Sequence, residues 1–192
     1  MKKEAIILVG GGGHCRSVID VVEQLGLYHI AGIVDQPELI GSSILGYEVI
    51  GCDDDLVKLH KQYKQAIITV GQVRSNAIRL RLYEQLKSIG YQLPVVVSPL
   101  AYLSRHASVG EGCVIMHHAL VNAGATIGEN SIINTKALIE HDVVVGAHSH
   151  ISTATVLNGG VKIAPNSFVG SNTTSKEGSV AGGFIKAGGI IV

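Results

Sequence analysis

The sequence predicts a small Rossmann-like α/β domain over residues 1–98, followed over residues 99–192 by a left-handed parallel β-helix of hexapeptide repeats. Three observations carry this. Apolar runs alternate with amphipathic stretches in the first half, a six-residue aliphatic period governs the second half, and an 18-residue period is laid over it.

The first half is read in order. Ala5 to Val9 is a short, wholly apolar run, the mark of a buried strand. His14 to Leu25 places Val18, Ile19, Val22 and Leu25 at helical spacing. His29 to Val34 forms a second strand. Asp53, Asp54 and Asp55 offer a cap and an acidic first turn for a helix through Tyr63. Ala66 to Val70 is a third strand, a helix runs from Ser75 to about Ser88, and Val95 to Val97 closes the region before Ser98 and Pro99. Alternating β and α elements point to a small parallel sheet.

From Leu103 the rule changes. Every sixth residue is aliphatic through Val109, Ile115, Val121, Ile127, Ile133, Ile139, Val145, Ile151, Leu157, Ile163 and Val169. The residue four further on is small or β-branched, as at Cys113, Ala119, Ala125, Ser131 and Ala137. This is a hexapeptide repeat, which builds a β-solenoid. Gly110, Gly128, Gly146 and then Ala164 recur every 18 residues, as do Asn122, Glu140 and Asn158, so each coil has three walls. The next positions of the aliphatic series are Ser175, Ala181 and Ala187, where the pattern weakens and Thr173 to Lys176 is expected to loop out or change wall. The apolar run ending at Val192 lacks a polar cap, so further chain or another subunit is expected to cover it.

Composition narrows the function. Fifteen basic residues balance fifteen acidic ones with no basic cluster, which disfavours nucleic acid and anionic membranes as partners. The first apolar run is too short for a signal peptide or a membrane span. Three cysteines without ligand-like spacing fit a reducing cytosol better than a disulfide framework. No metal is expected.

Two places carry chemistry. His141 stands at a turn, and its equivalents one coil away, Ala123 and Gly159, leave space beside an imidazole. Histidine suits general-base work because it titrates near neutrality. Asp142 follows it directly, with Glu140 as the other acidic neighbour. The second place is the loop Gly10 to Gly13, which follows a strand and opens a helix, where backbone N–H groups attract phosphate or carboxylate. Asp35 ends the next strand, where acids often bind sugar hydroxyls. A dinucleotide fingerprint would need glycine at position 15, which is Cys15.

The hexad array behind a short α/β domain resembles the bacterial sugar O- and N-acyltransferases typified by NeuD and PglD. The most specific stretches are Ile133 to Asp142, Ser149 to Thr153, Val156 to Gly160, and Gly10 to His14. The Ile151-to-Thr153 and Val156-to-Gly159 wording leans towards the sialic acid branch. The resemblance implies acetyl-CoA as co-substrate, a cytoplasmic homotrimer, and active sites between adjacent β-helices. It implies that His141 is catalytic and that Asp142 raises its basicity. It further implies that His150, Gly159, Ser171 and Gly189 line the CoA, and that Gly12, Gly13, His14, Asp35 and Gly71 bind a sugar or nucleotide-sugar acceptor. Relatives commonly finish with a proline-containing segment that helps hold CoA, and no such segment is present in this sequence.

The expected reaction is acetylation of a surface-glycan sugar, foremost O-acetylation of sialic acid. N-acetylation of a UDP- or GDP-linked amino sugar needs the same base and donor. A β-helix zinc lyase would also use histidines, but His-x4-His is missing because the residue five after His141 is Gly146. A non-enzymatic scaffold would give His141 no role.

Overall fold

The computed structural model describes residues 3–192; Met1 and Lys2, the first residues of the α/β region, lie outside them. The chain forms two compact units, one running to Gly71 and resuming over Ala77–Pro94, the other made of Gln72–Asn76 and Val95–Val192.

In the first unit the apolar runs become the strands β1 (Glu4–Val9) and β2 (Tyr28–Val34), with the helix α1 (Gly13–Leu25) between them. Val18, Ile19 and Val22 bury the inner face of α1, and Gly26 ends it in a left-handed conformation with its N–H donating to the Val22 carbonyl at 3.2 Å. Two strands follow that the sequence pattern did not show, β3 (Ser43–Ile44) and β4 (Tyr47–Gly51). They are short and half exposed, so they carry little apolar signal. The acidic triplet forms a 3₁₀ turn, and the helix after it, α2, spans only Leu56–His60. The unit closes with β5 (Gln65–Ile68) and α3 (Ala77–Ile89). The sheet order is β3-β4-β2-β1-β5, parallel except for the β3–β4 pair. Successive connections leave β1 in opposite directions, so the carboxyl ends of β1 and β5 flank a crevice of the kind where α/β sheets bind ligands.

The second unit is a left-handed parallel β-helix with three walls. Wall I stacks Val96–Val97, Val114–Ile115, Ile132–Ile133, His150–Ile151, Phe168–Val169 and Phe184–Ile185. Wall II stacks Tyr102–Leu103, Leu120–Val121, Leu138–Ile139, Val156–Leu157, Thr174–Ser175 and Ile190–Ile191. Wall III stacks Ser108–Val109, Thr126–Ile127, Val144–Val145, Lys162–Ile163 and Val180–Ala181. The second residue of each two-residue strand points inward, so Ile115 through Val169 of the aliphatic series are buried. Each such side chain stabilises the core by about 1.5–3 kcal/mol relative to exposure. The small series also faces inward, and Ser131, Ser149 and Ser167 form a column in which each hydroxyl accepts from the backbone N–H one coil below, at 3.2, 3.1 and 3.0 Å. The 18-residue glycines are equally physical: a Cβ on Gly128 would lie 2.4 Å from the Ala147 nitrogen.

The structure departs from the sequence reading at both ends. Val96–Val97, expected to close the α/β region, pairs with Val114–Ile115 as the first strand of wall I. At the other end Thr174–Ser175 neither loops out nor changes wall, since it pairs with Val156 and with Ile190–Ile191 on wall II. The inward series then continues at Ala181, Ile185 and Ile191 rather than at Ala187, because the corner between walls III and I shrinks to Gly182 and Gly183.

Candidate active site

His141 sits on the corner between walls II and III, two residues after the buried Ile139. Its backbone N–H donates to Glu140 Oε2 at 3.2 Å, and Asn122 Nδ2, one coil above, donates to the same oxygen at 2.8 Å. The 18-residue polar series thus anchors the corner. Glu140 is bound to backbone and amide and is not the partner of the ring.

The ring partner is Asp142. It occupies the left-handed position of the corner, at φ 60°, a conformation that aspartate tolerates better than most residues. Its Oδ2 lies 3.0 Å from Nδ1 of His141. Nδ1–H therefore donates to Asp142, and Nε2 keeps its lone pair. This hydrogen bond, and secondarily the charges of Asp142 and Glu140, raise the His141 pKa above its ordinary value. Both side chains are exposed, at 63% and 72%.

Two glycines, one of them singled out from sequence, shape this corner. A Cβ on Gly159 would sit 2.6 Å from Cε1 and Nε2 of His141, so that edge of the imidazole lies against bare backbone. A Cβ on Gly124 would meet Asp142 Oδ1 at 2.4 Å. Gly124 was not picked out from the sequence, although its 18-residue offset from Asp142 was the available signal.

The remaining CoA-lining candidates lie elsewhere on the β-helix. His150 is on wall I and nearly buried. Asn134 Oδ1 accepts from Thr135 N at 2.7 Å, which fixes its amide so that Nδ2 donates to His150 Nε2 at 3.0 Å. His150 Nδ1–H then donates to the Gln72 carbonyl. Both ring nitrogens are engaged and the neutral tautomer is set. Ser171 follows wall I, with its hydroxyl 2.9 Å from that of Ser152. Gly189 is half-buried one coil further on, where a Cβ would meet the Lys186 carbonyl oxygen at 3.0 Å. His141 and Gly159 thus occupy one edge of wall II, and Ser171 and Gly189 the other.

The acceptor candidates gather in the first unit. Gly12 caps α1 and Gly13 begins it. Both are exposed and face open space, leaving the first N–H groups of a 13-residue helix accessible. His14 is half-buried, with Gly71 packed 3.5 Å from its Cβ as measured to an added Cβ. Asp35 accepts from Gly11 N at 2.6 Å and Gln36 N at 2.8 Å, so it first holds the loop. A cleft of about 420 Å³ opens beside it, lined by Asp35, Pro37, Asp53, Val70, Ile78 and Arg81 among others. Its far side is braced by Arg81, whose Nη2 lies 2.8 Å from Asp53 Oδ2. Beneath the crevice the buried Arg79 donates to the carbonyls of Ile68 and Val70 at 2.6 and 3.1 Å. Sequence reasoning missed Arg79, because a charged residue in an amphipathic helix reads as its solvent face.

Cys15, Cys52 and Cys113 are free thiols, and burial pushes Cys15 up to about 11. Among the described residues no three histidine, cysteine or acidic side chains converge as a metal site would require, and no helix is long and apolar enough to cross a membrane.

Comparison with known proteins decides the family. Residues 5–86 match the PglD N-terminal domain. The acetyltransferase domain of PglB from Neisseria gonorrhoeae is 30% identical over 99% of this chain and 92% of its own, with a TM-score of 0.91. The chain belongs to the PglD-type family of acetyl-CoA-dependent sugar acetyltransferases. The same gonococcal domain has been solved in complex with acetyl coenzyme A, at 30% identity and a TM-score of 0.90 over 100% of this chain and 92% of that one. PerB from Caulobacter crescentus, in complex with CoA and GDP-perosamine, is 31% identical over 98% of this chain and 88% of its own, with a TM-score of 0.91. Among curated proteins none matches. As a member of this family the chain is an acyltransferase, which removes the scaffold and zinc-lyase readings.

Proposed function

We propose that this PglD-type acetyltransferase moves an acetyl group from acetyl-CoA to the amine of a nucleotide-linked amino sugar, with Nε2 of His141 as general base. The carrying observation is the His141 ring, hydrogen-bonded to Asp142 and set against bare Gly159, which leaves one ring nitrogen basic, oriented and open. As the acceptor nitrogen attacks the thioester carbonyl, a C–N bond forms and Nε2 takes the proton released. Cleavage of the C–S bond then frees the CoA thiolate, which recovers that proton from the imidazolium. Asp142 stabilises the imidazolium in between.

Support for the acceptor class comes from the relatives, one a GDP-perosamine N-acetyl transferase solved with its nucleotide sugar, and from the open glycine turn Gly12–Gly13 with His14, Asp35 and Gly71 around it. O-acetylation of sialic acid is the second reading, supported by the Ile151-to-Thr153 and Val156-to-Gly159 wording.

The proposed CoA positions, His150, Ser171 and Gly189, and the base occupy wall I and opposite edges of wall II, so one chain does not assemble them at a single point. A homotrimer would supply the base from one copy and the CoA surface from the next. Wall II supports this with an outward column of Tyr102, Leu120, Leu138 and Val156, followed by Thr174 and Ile190, in which Tyr102 and Ile190 are 58% and 72% exposed. His150 would act there through its fixed tautomer or by exchanging the Gln72 carbonyl for substrate.

The test is steady-state transfer from acetyl-CoA to sialic acid, its CMP form, and UDP- and GDP-linked amino sugars, with products identified by mass spectrometry. His141→Ala is expected to lower turnover by roughly 10²–10⁴-fold, and near-equal rates would remove the assignment.

A further inference from the structure

The second unit holds a cavity that the reaction scheme leaves unused. It is a half-open notch of about 270 Å³, lined by residues 72–76 on one side and by Asn166, Phe168, Gly183 and Phe184 on the other. Its origin is the shortened corner. Every earlier corner between walls III and I has four residues, as Ala164 to Ser167 does, but the last has only Gly182 and Gly183. The missing pair of residues leaves a notch below Asn166. It also brings Phe184 directly under Phe168, with ring centroids 5.3 Å apart and planes inclined by 16°. Phe168 in turn meets the His150 ring edge-on at 5.3 Å.

The opposite side of the notch is held in place. Gln72 is 3% exposed, and its Nε2 donates to the carbonyls of His148 and Ser167 at 3.0 and 3.3 Å. Asn76 Nδ2 donates to Asn166 Oδ1 at 2.6 Å. These bonds pin both ends of a five-residue segment whose middle, Val73 to Ser75, is exposed. Such a clamp preorganises a binding surface. On that surface Arg74 makes no hydrogen bond or ion pair among the described residues. Facing it, Phe184 keeps 59% of its area exposed at the end of an aromatic stack. A ring with much of its surface open and an available guanidinium, both lining one notch, match an apolar ring face with an anion beside it.

We infer that this notch seats the sugar ring of the acceptor, with the ring's C–H face on Phe184 and an anionic group on Arg74. The inference rests on the acetyl-transfer reading. The notch adjoins wall I between His150 and Gly189, so a sugar there lies beside the surface proposed for CoA. The anion has two sources: the carboxylate of an acidic sugar, or the phosphate through which a sugar is linked to its nucleotide.

The experiment compares Phe184→Ala, Arg74→Ala and Arg74→Lys with the wild type, measuring KM for acetyl-CoA and for each acceptor separately. Free sialic acid offers the carboxylate without phosphate, and a UDP- or GDP-linked amino sugar offers phosphate without carboxylate. Phe184→Ala and Arg74→Ala are each expected to raise the acceptor KM about tenfold, with acetyl-CoA KM and melting temperature unchanged. Arg74→Lys should recover part of the loss. The arm on which Arg74→Ala acts identifies the anion. A raised KM for acetyl-CoA alone would assign the notch to the donor and overturn the inference. So would unchanged constants for both substrates, even where His141→Ala abolishes transfer and the acetyltransferase reading stands. A wild type that acetylates none of these sugars defeats that reading, and the inference with it.

Discussion

At the corner after Ile139 the backbone that carries His141 is repeated one coil above and one coil below, whereas the turn after Val9 that carries Gly12 and His14 occurs once. The β-helix corner is held by its copies: Asn122 braces Glu140, Gly124 makes room for Asp142, and Gly159 supports the ring. The α/β turn is held by unlike partners drawn from distant sequence: Asp35 on the Gly11 N–H, the Val34 carbonyl on the Gly10 N–H, and the Thr69 hydroxyl on the Gly10 carbonyl. A periodic scaffold fixes a side chain by local stacking. A non-periodic one fixes a loop by convergence, so damage to it spreads through the sheet.

That contrast can be broken most forcefully in the repeat itself. Ile139→Asp buries a carboxylate with no partner in the column of Val121, Ile139 and Leu157, at a cost of several kcal/mol. Thermal unfolding is expected to shift down by many degrees, and unchanged melting would contradict the coil arrangement. Gly159→Ala sharpens the comparison. Its Cβ would collide with the His141 ring, and a base moved by about 1 Å loses on the order of 10²-fold in turnover. Circular dichroism and melting should stay close to wild type, because the collision ends at an exposed side chain.

Gly11→Ala is the matching change in the other unit. Its Cβ would meet Asp35 Oδ2 at 2.4 Å and Ile44 Cδ1 at 2.5 Å. Overpacking should lower stability by about 1–3 kcal/mol and raise the acceptor KM, with KM for acetyl-CoA unchanged. Equal effects of the Gly11 and Gly159 substitutions on acceptor KM would erase the distinction between the two regions. Asp142→Asn is the mildest change. A base must be unprotonated to act, and Asp142 raises the His141 pKa mainly through their hydrogen bond. Its removal lowers that pKa, so the acid limb of kcat/KM against pH should move to lower pH while the plateau falls modestly. A limb that stays in place or moves up would reject the pair.

Much of this was legible beforehand where the chain repeats. Six-residue spacing named the inward residues from Ile115 to Val169, and 18-residue spacing placed Gly159 beside His141. Legibility failed where a repeat was broken or absent. Ala187 looked like the next inward residue until the short Gly182–Gly183 corner moved that role to Ile185 and Ile191. Val96 and Val97 looked like the end of the first domain because a single apolar run does not reveal which sheet it will join.

The sequence by itself determined the β-helix, its three walls and the corner on which His141 stands, because hydrogen bonding between identical coils makes position in space a function of position in the repeat. Only the tertiary structure decided that Asp142 rather than Glu140 meets the imidazole, that Asn134 and Gln72 engage both nitrogens of His150, and that Arg79 lies buried under the crevice. Those contacts depend on side-chain rotamers and on segments distant in sequence, and no period encodes either.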